Sequence, residues 1–104
     1  MTVRTEEGNL VVSKTFLLTY TYVPNIVELR QPHRQAHLGN LTSAHQRGLV
    51  ILAGATVDPV DGAVVLFEAE DAGQVLSWAA NDPYNKAGLI REMTVRELSL
   101  AVRP

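Results

Sequence analysis

Between Thr15 and Leu98 the apolar residues switch between the strand period and the helix period in an order that few folds accommodate. Phe16, Leu18, Tyr20 and Tyr22 alternate with Leu17, Thr19 and Thr21, the two-residue period of a half-buried strand, in a stretch rich in aromatic and β-branched side chains. Pro24-Asn25 breaks this strand, and Asn25 is suited to N-cap a helix that begins at Ile26. Leu38, Leu41 and Ala44 recur at helical spacing, so the helix is expected to run to about Arg47, with Gly48 as a left-handed C′ residue. Pro32 lies inside that span. An interior proline removes a hydrogen bond and clashes with the preceding turn, so a kink near Gln31 or two helical pieces are expected.

Leu49-Val50-Ile51-Leu52-Ala53 is a nearly continuous apolar run, short and bounded by glycines, which reads as a central, buried strand. Thr56 to Gly62 contains both Asp-Pro and Asp-Gly and makes a hairpin loop, and Ala63 to Phe67 follows as the third strand. Glu70-Asp71 opens a second helix through about Ala80, where acidic residues suit the N-terminus. Asn81-Asp82-Pro83 ends it, Tyr84 to Gly88 holds one helical turn, and Glu92 to Leu98 alternates as a last strand. The resulting β-α-β-β-α-β order is the ferredoxin-like α+β arrangement, an antiparallel four-stranded sheet with both helices on one face. Leu17, Thr19, Thr21 and Val23 then fall on the other face, and the next two strands are apolar on both sides. A monomer would expose an apolar face larger than soluble proteins usually carry, so a homodimer with sheets packed face to face, or a higher homo-oligomer, is expected.

Composition bounds the rest. A chain of 104 residues builds one core, and its 46% hydrophobic and 19% charged content is that of a globular domain. Residues 1–14 have few large apolar side chains before Leu10-Val11-Val12 and are expected to form an arm or a short extra strand, leaving residues 15–104 as the domain. A net charge of -2 with scattered basic residues offers no footprint for nucleic acid or an anionic membrane. The absence of cysteine removes disulfides, thiolate nucleophiles and cysteine-based zinc sites, and leaves histidine and carboxylates as reactive groups. Met1 to Gly8 is polar and acidic, unlike a signal peptide, and no apolar stretch approaches the roughly 20 residues that span a bilayer. A soluble, cytoplasmic protein is the expectation. Neither a phosphate-binding glycine loop nor a nucleophile elbow or dinucleotide fingerprint is present.

Arg34-Gln35-Ala36-His37-Leu38-Gly39-Asn40-Leu41 resembles the Arg-x-x-His-Leu helix segment of YciI-like proteins. Leu52-Ala53-Gly54 is similar to that family's Ala-Gly at the end of its second strand, and Asn81 to Gly88 is similar to its Asp-Pro-(aromatic)-x-x-Ala-Gly block. Order and spacing also fit, and the three together cover residues 15–100. At Ala55 the sequence departs from the family, where proline is frequent. The resemblance implies a dimeric α+β barrel with a pocket between helices and sheet, and a His–Asp pair as its active site. By motif position these are His37 and Asp82. Better understood relatives remove hydrogen chloride from chlorinated lactones or hydroxyquinones in aromatic degradation.

A histidine takes and returns protons near neutral pH, and a carboxylate on its other nitrogen fixes the tautomer. The alternative for His37 is a histidine at the edge of the helix's apolar stripe with a structural hydrogen bond, and Asp82-Pro83 also reads as a helix N-cap followed by proline at the first helical position. Capping and pairing are compatible, one oxygen serving each. His33 and His37 stand four residues apart, the spacing of two helical zinc ligands, but the pattern lacks the flanking Glu and Pro32 disturbs the turn, so no metal is assigned. His45 reads as a solvated residue near the helix C-terminus. Arg34 is a candidate to hold a substrate carboxylate or phenolate, whereas Arg30 reads as surface charge. Tyr84 is a candidate donor to a substrate oxygen or a packing aromatic, Trp78 reads as core, and Gly54 marks either a close approach of ligand to backbone or a bulge. With the resemblance, these residues point to a cofactor-free proton-transfer enzyme on a small cyclic oxygenated substrate, an isomerase or a lyase; a dehydrochlorinase-like lyase is what the resemblance to relatives implies, since no halide site is read from the residues. The alternative is a non-catalytic dimeric module that binds a small metabolite or a partner protein.

Overall fold

The computed structural model describes residues 2–6 and 9–104, with side chains from Ser13 onward. Of the arm expected over residues 1–14, Met1, Glu7 and Gly8 lie outside the described residues. Five strands, β1 (Thr2–Glu6), β2 (Asn9–Tyr22), β3 (Val50–Ala55), β4 (Gly62–Ala69) and β5 (Ile90–Leu98), are joined by helices α1 (Ile26–Leu29), α2 (Gln31–Gln46), α3 (Ala72–Ala80) and α4 (Pro83–Lys86). All described strand pairs are antiparallel. The second half of β2 lies between β5 and β4, β4 pairs in turn with β3, and the first half of β2 pairs with β1. From β2 to β5 this is the ferredoxin-like α+β order expected from the hydrophobic periods.

The alternation in β2 does what its period implies. Phe16, Leu18, Tyr20 and Tyr22 are buried, and they meet the buried Val65 and Phe67 of β4, Val75 and Ala79 of α3, and Ala44 of α2 in one core. Leu17, Thr19 and Thr21 point to the opposite face and remain half-buried. Trp78 packs edge-on against Phe67 at 5.4 Å between ring centroids, on the margin of this core.

Pro32 produces two helical pieces. Arg30 joins α1 to α2, and proline occupies the first turn of α2, where a missing N–H breaks no helical bond. Asn25 does not cap α1 with its side chain. It adopts the left-handed conformation, φ 68°, and its carbonyl accepts from the N–H groups of Glu28 and Leu29. Gly48 closes α2 at φ 79°, while Leu49 N–H donates to the Ala44 carbonyl. His45 is not simply solvated, since its Nδ1 lies 2.8 Å from the Val50 carbonyl and ties the helix end to β3.

The apolar run Leu49 to Ala53 is not a central strand. Among the described residues β3 pairs with β4 alone, and from Leu52 onward it is exposed. An apolar run has the same pattern whether covered by a second strand or left at an edge, and here β2 takes the central position. No helix among the described residues is long and apolar enough to cross a membrane.

Candidate active site

The site forms where α2 packs against β3 and the turn before α4 closes behind it. Residues 30, 34, 37, 38 and 41 recur at three- and four-residue intervals and so share one face of the helical segment. That face forms one wall of a cavity of about 370 Å³. Tyr20, Tyr22 and Tyr84 also line it, as do Ala53 and Gly54 of β3 and Val57 and Val60 of the loop that follows. The volume is at the small end of the range for ligand sites, about 300–1,000 Å³.

Behind the cavity, His37 Nδ1 lies 2.7 Å from Asp82 Oδ1. Asp82 is fully buried and His37 is 6% exposed. The carboxylate receives further bonds. Its Oδ1 accepts from the Tyr84 backbone N–H at 3.0 Å, which is the N-cap of α4, and its Oδ2 accepts from the Tyr20 hydroxyl at 2.8 Å. The capping and pairing roles of Asp82 thus coexist, and both fall on the same oxygen. A carboxylate only accepts, so Nδ1 of His37 carries the proton and Nε2 of the neutral ring carries the free lone pair. The Tyr84 ring stacks on His37 at 3.7 Å between centroids and 7° between planes, which restricts the imidazole from its other side.

Tyrosine hydroxyls surround the pair in their neutral form. Burial pushes Tyr20 far above the ordinary tyrosine range, with the Asp82 charge and hydrogen bond adding to the shift. Burial moves Tyr22 up to about 12, with Tyr84 and Asp82 adding and Arg30 and Arg34 opposing. Tyr84 is raised by burial against the opposing charges of the same two arginines.

The structure therefore brings together all five residues expected at the site: His37 and Asp82 in contact, and Arg34, Tyr84 and Gly54 on the cavity wall. A side chain added at Gly54 would meet no atom within 4 Å, so the strand end is open to the cavity rather than crowded. His33 is half-buried and does not line the cavity, and no cluster of three or more metal-ligating side chains occurs among the described residues. Three participants were not anticipated. Tyr20 and Tyr22 read as core packing, and Arg30 as surface charge, yet all three line the cavity and the Arg30 Nε is buried. The tyrosines carried a signal, because a phenylalanine fills a core and a buried hydroxyl needs a partner.

Residues 15–99 match the model of the YCII-related domain. The chain belongs to that family. Among solved structures, this YCII-related protein is similar to 5-chloro-2-hydroxyhydroquinone dehydrochlorinase from Burkholderia phenoliruptrix AC1100 in complex with 2,5-dihydroxybenzoquinone. The TM-score is 0.74 at 26% identity, over 82% of this chain and 93% of that one. A NIPSNAP-like domain protein from Burkholderia xenovorans superposes with a TM-score of 0.56 at 17% identity, over 88% of this chain and 89% of that one. A dimeric ferredoxin-like protein from an uncultured marine organism does so at 0.53 and 11%, over 88% and 93%. These last two share the fold alone. No curated protein matches the sequence.

Proposed function

We propose that this protein is a cofactor-free lyase that removes hydrogen chloride from a small, oxygenated ring, with His37 as general base and Asp82 as its orienting partner. The contact of His37 with the fully buried Asp82 carries this reading, because it leaves Nε2 as the basic nitrogen of a histidine that lines the cavity. Likeness to a dehydrochlorinase supports the reaction class.

In this reaction Nε2 takes a proton from a ring carbon beside a carbonyl. The C–H electron pair moves toward the carbonyl oxygen, forming an enolate that faces Arg34 and the Tyr84 hydroxyl. Re-forming the carbonyl drives those electrons into a new C=C bond as the C–Cl bond on the adjacent carbon breaks. Chloride leaves with the bonding pair, and imidazolium returns the proton to water. The net change is loss of HCl. The apolar wall of Leu38, Leu41, Val57 and Val60 suits the ring and excludes water from the enolate.

We further infer that the protein works as a homodimer with sheets packed face to face. Support comes from the apolar residues on the open face of the sheet and from a fold relative described as dimeric.

Chloride release from 5-chloro-2-hydroxyhydroquinone, whose diketo tautomer sets a C–H beside a carbonyl and next to the carbon that bears chlorine, tests the activity. His37→Gln is expected to lower turnover by about 10²–10⁴-fold, the usual contribution of a positioned base. A variant that keeps full turnover would remove His37 from the chemistry. Wild-type protein that binds 2,5-dihydroxybenzoquinone yet turns over no ring substrate would instead favour a metabolite-binding module.

A further inference from the structure

We propose that Arg30 and Tyr84 form an oxyanion subsite in the cavity, which seats one ionised oxygen of a small ring ligand before any bond breaks. Two buried side-chain polar atoms find no hydrogen-bond acceptor among the described residues: Arg30 Nε and the Tyr84 hydroxyl. Both residues line the same cavity. A buried donor left without an acceptor is destabilising, so two such groups on one cavity call for a ligand that accepts. An oxyanion accepts from both and pairs with the guanidinium charge, whereas a neutral carbonyl makes only a neutral hydrogen bond with the Tyr84 hydroxyl and offers Arg30 no charge to pair with.

The charge of the cavity points the same way. Arg30 and Arg34 are on its wall, and among the described residues no Asp or Glu lines it and no carboxylate lies within ion-pair distance of either arginine. Asp82, the nearby acid, sits behind His37 with both oxygens occupied by other donors. Both arginines also act on the Tyr84 hydroxyl, Arg34 closely enough to donate a hydrogen bond to it, and a hydroxyl that accepts from Arg34 keeps its own proton to donate. A cavity with two guanidiniums and no acid attracts a negative ligand, and its low dielectric strengthens that attraction. The remaining wall, from Leu38 and Leu41 to Val57 and Val60, is apolar and matches a ring rather than a free inorganic ion.

This deepens the lyase reading and takes the ring from it, but the binding test does not depend on turnover. The probe is 4-nitrophenol, whose phenolate is coloured and whose ionisation is read directly by absorbance near its own pKa. The protein is expected to bind phenolate over phenol, so that colour increases on addition of wild-type protein. Arg30→Met is expected to weaken phenolate binding about tenfold or more while leaving binding of the neutral phenol within twofold. Tyr84→Phe keeps the ring and the backbone N–H bond to Asp82, and is expected to weaken phenolate binding in the same direction.

Benzoate and benzamide form a second pair. Arg30-dependent binding of benzoate over benzamide assigns a carboxylate as an accepted source of the oxyanion, and phenolate binding alone restricts the source to a ring oxygen. Circular dichroism of each variant establishes that it is folded. Unchanged or reduced colour on binding, or phenolate affinity in folded Arg30→Met and Tyr84→Phe equal to wild type, overturns the subsite. Phenolate preference in a protein that releases no chloride leaves the subsite standing and removes the lyase reading instead.

Discussion

All three tyrosines of the chain surround one carboxylate–imidazole pair. Tyr22 lies between the other two, 6.2 Å from Tyr20 and 5.9 Å from Tyr84 between ring centroids. Each has its ionisation raised in the folded state, chiefly by burial. The unfolded chain ionises its tyrosines near pH 10. A raised folded value means that the stability drawn from keeping the hydroxyls protonated is fully present below about pH 10. It is lost as pH climbs toward about 12, where Tyr22 would titrate in the folded protein. Near-ultraviolet absorbance on alkaline titration therefore reports this site without labels. The expected result is little phenolate signal until the chain unfolds, then a single step coincident with loss of far-ultraviolet circular dichroism. A tyrosine that titrates near pH 10 in folded protein would show that the cluster is open to water. At this scale the sequence revealed the site unevenly. His37 and Asp82 stand in short motifs, whereas Tyr20, Tyr22 and Arg30 have no motif. Tyr20 and Tyr22 share the period of the core, and Arg30 shares the helical face of Arg34 and His37 while carrying a charge that ordinarily marks solvent.

Elements place these residues through a few backbone positions. Gly62 at the start of β4 pairs with Thr21, and a side chain there would come within 2.5 Å of the Tyr20 carbonyl oxygen. That close approach seats β4 against the strand that aims Tyr20 at Asp82. Gly48 is different, since its φ of 79° requires the left-handed region but its surroundings hold nothing within 4 Å. Gly48→Ala is thus expected to cost about 1 kcal/mol of stability from conformation alone. Gly62→Ala is expected to cost more, about 1–3 kcal/mol from overpacking, and to reduce turnover by displacing Tyr20. Urea denaturation of both variants, with turnover of each, checks the order, and equal losses would show that β4 yields without disturbing β2. Element types were legible because the hydrophobic period changes at each boundary, and the break at Pro32 followed from proline chemistry. The edge position of β3 was not. Strand order is decided by which partners pair across the sheet, and Leu49 to Ala53 reads the same in either position.

At the scale of the whole molecule, one surface is unaccounted for within a single chain. Register aligns Leu17 of β2, Leu66 of β4 and Leu52 of β3 in a row across the face away from the helices, where Leu52 is 54% exposed. The fold class followed from element order, but a β-α-β-β-α-β chain always leaves this face open, so the sequence could reveal the problem and not its cover. A second copy is the occupant inferred above, and Leu66 at the centre of the row is the position to test. In a twofold interface one substitution is introduced twice. Leu66→Arg would bury two unpaired guanidiniums between the sheets at a cost of several kcal/mol, while in a monomer the same side chain extends into water. Sedimentation velocity is expected to give a dimer for wild type and a monomer for Leu66→Arg, with unchanged far-ultraviolet circular dichroism. Comparing 4-nitrophenol binding in the two then separates assembly from site. The arginines, tyrosines and apolar wall around the cavity come from a single chain, so the monomeric variant should retain binding, whereas loss of both dimer and binding would mean that the partner shapes the cavity.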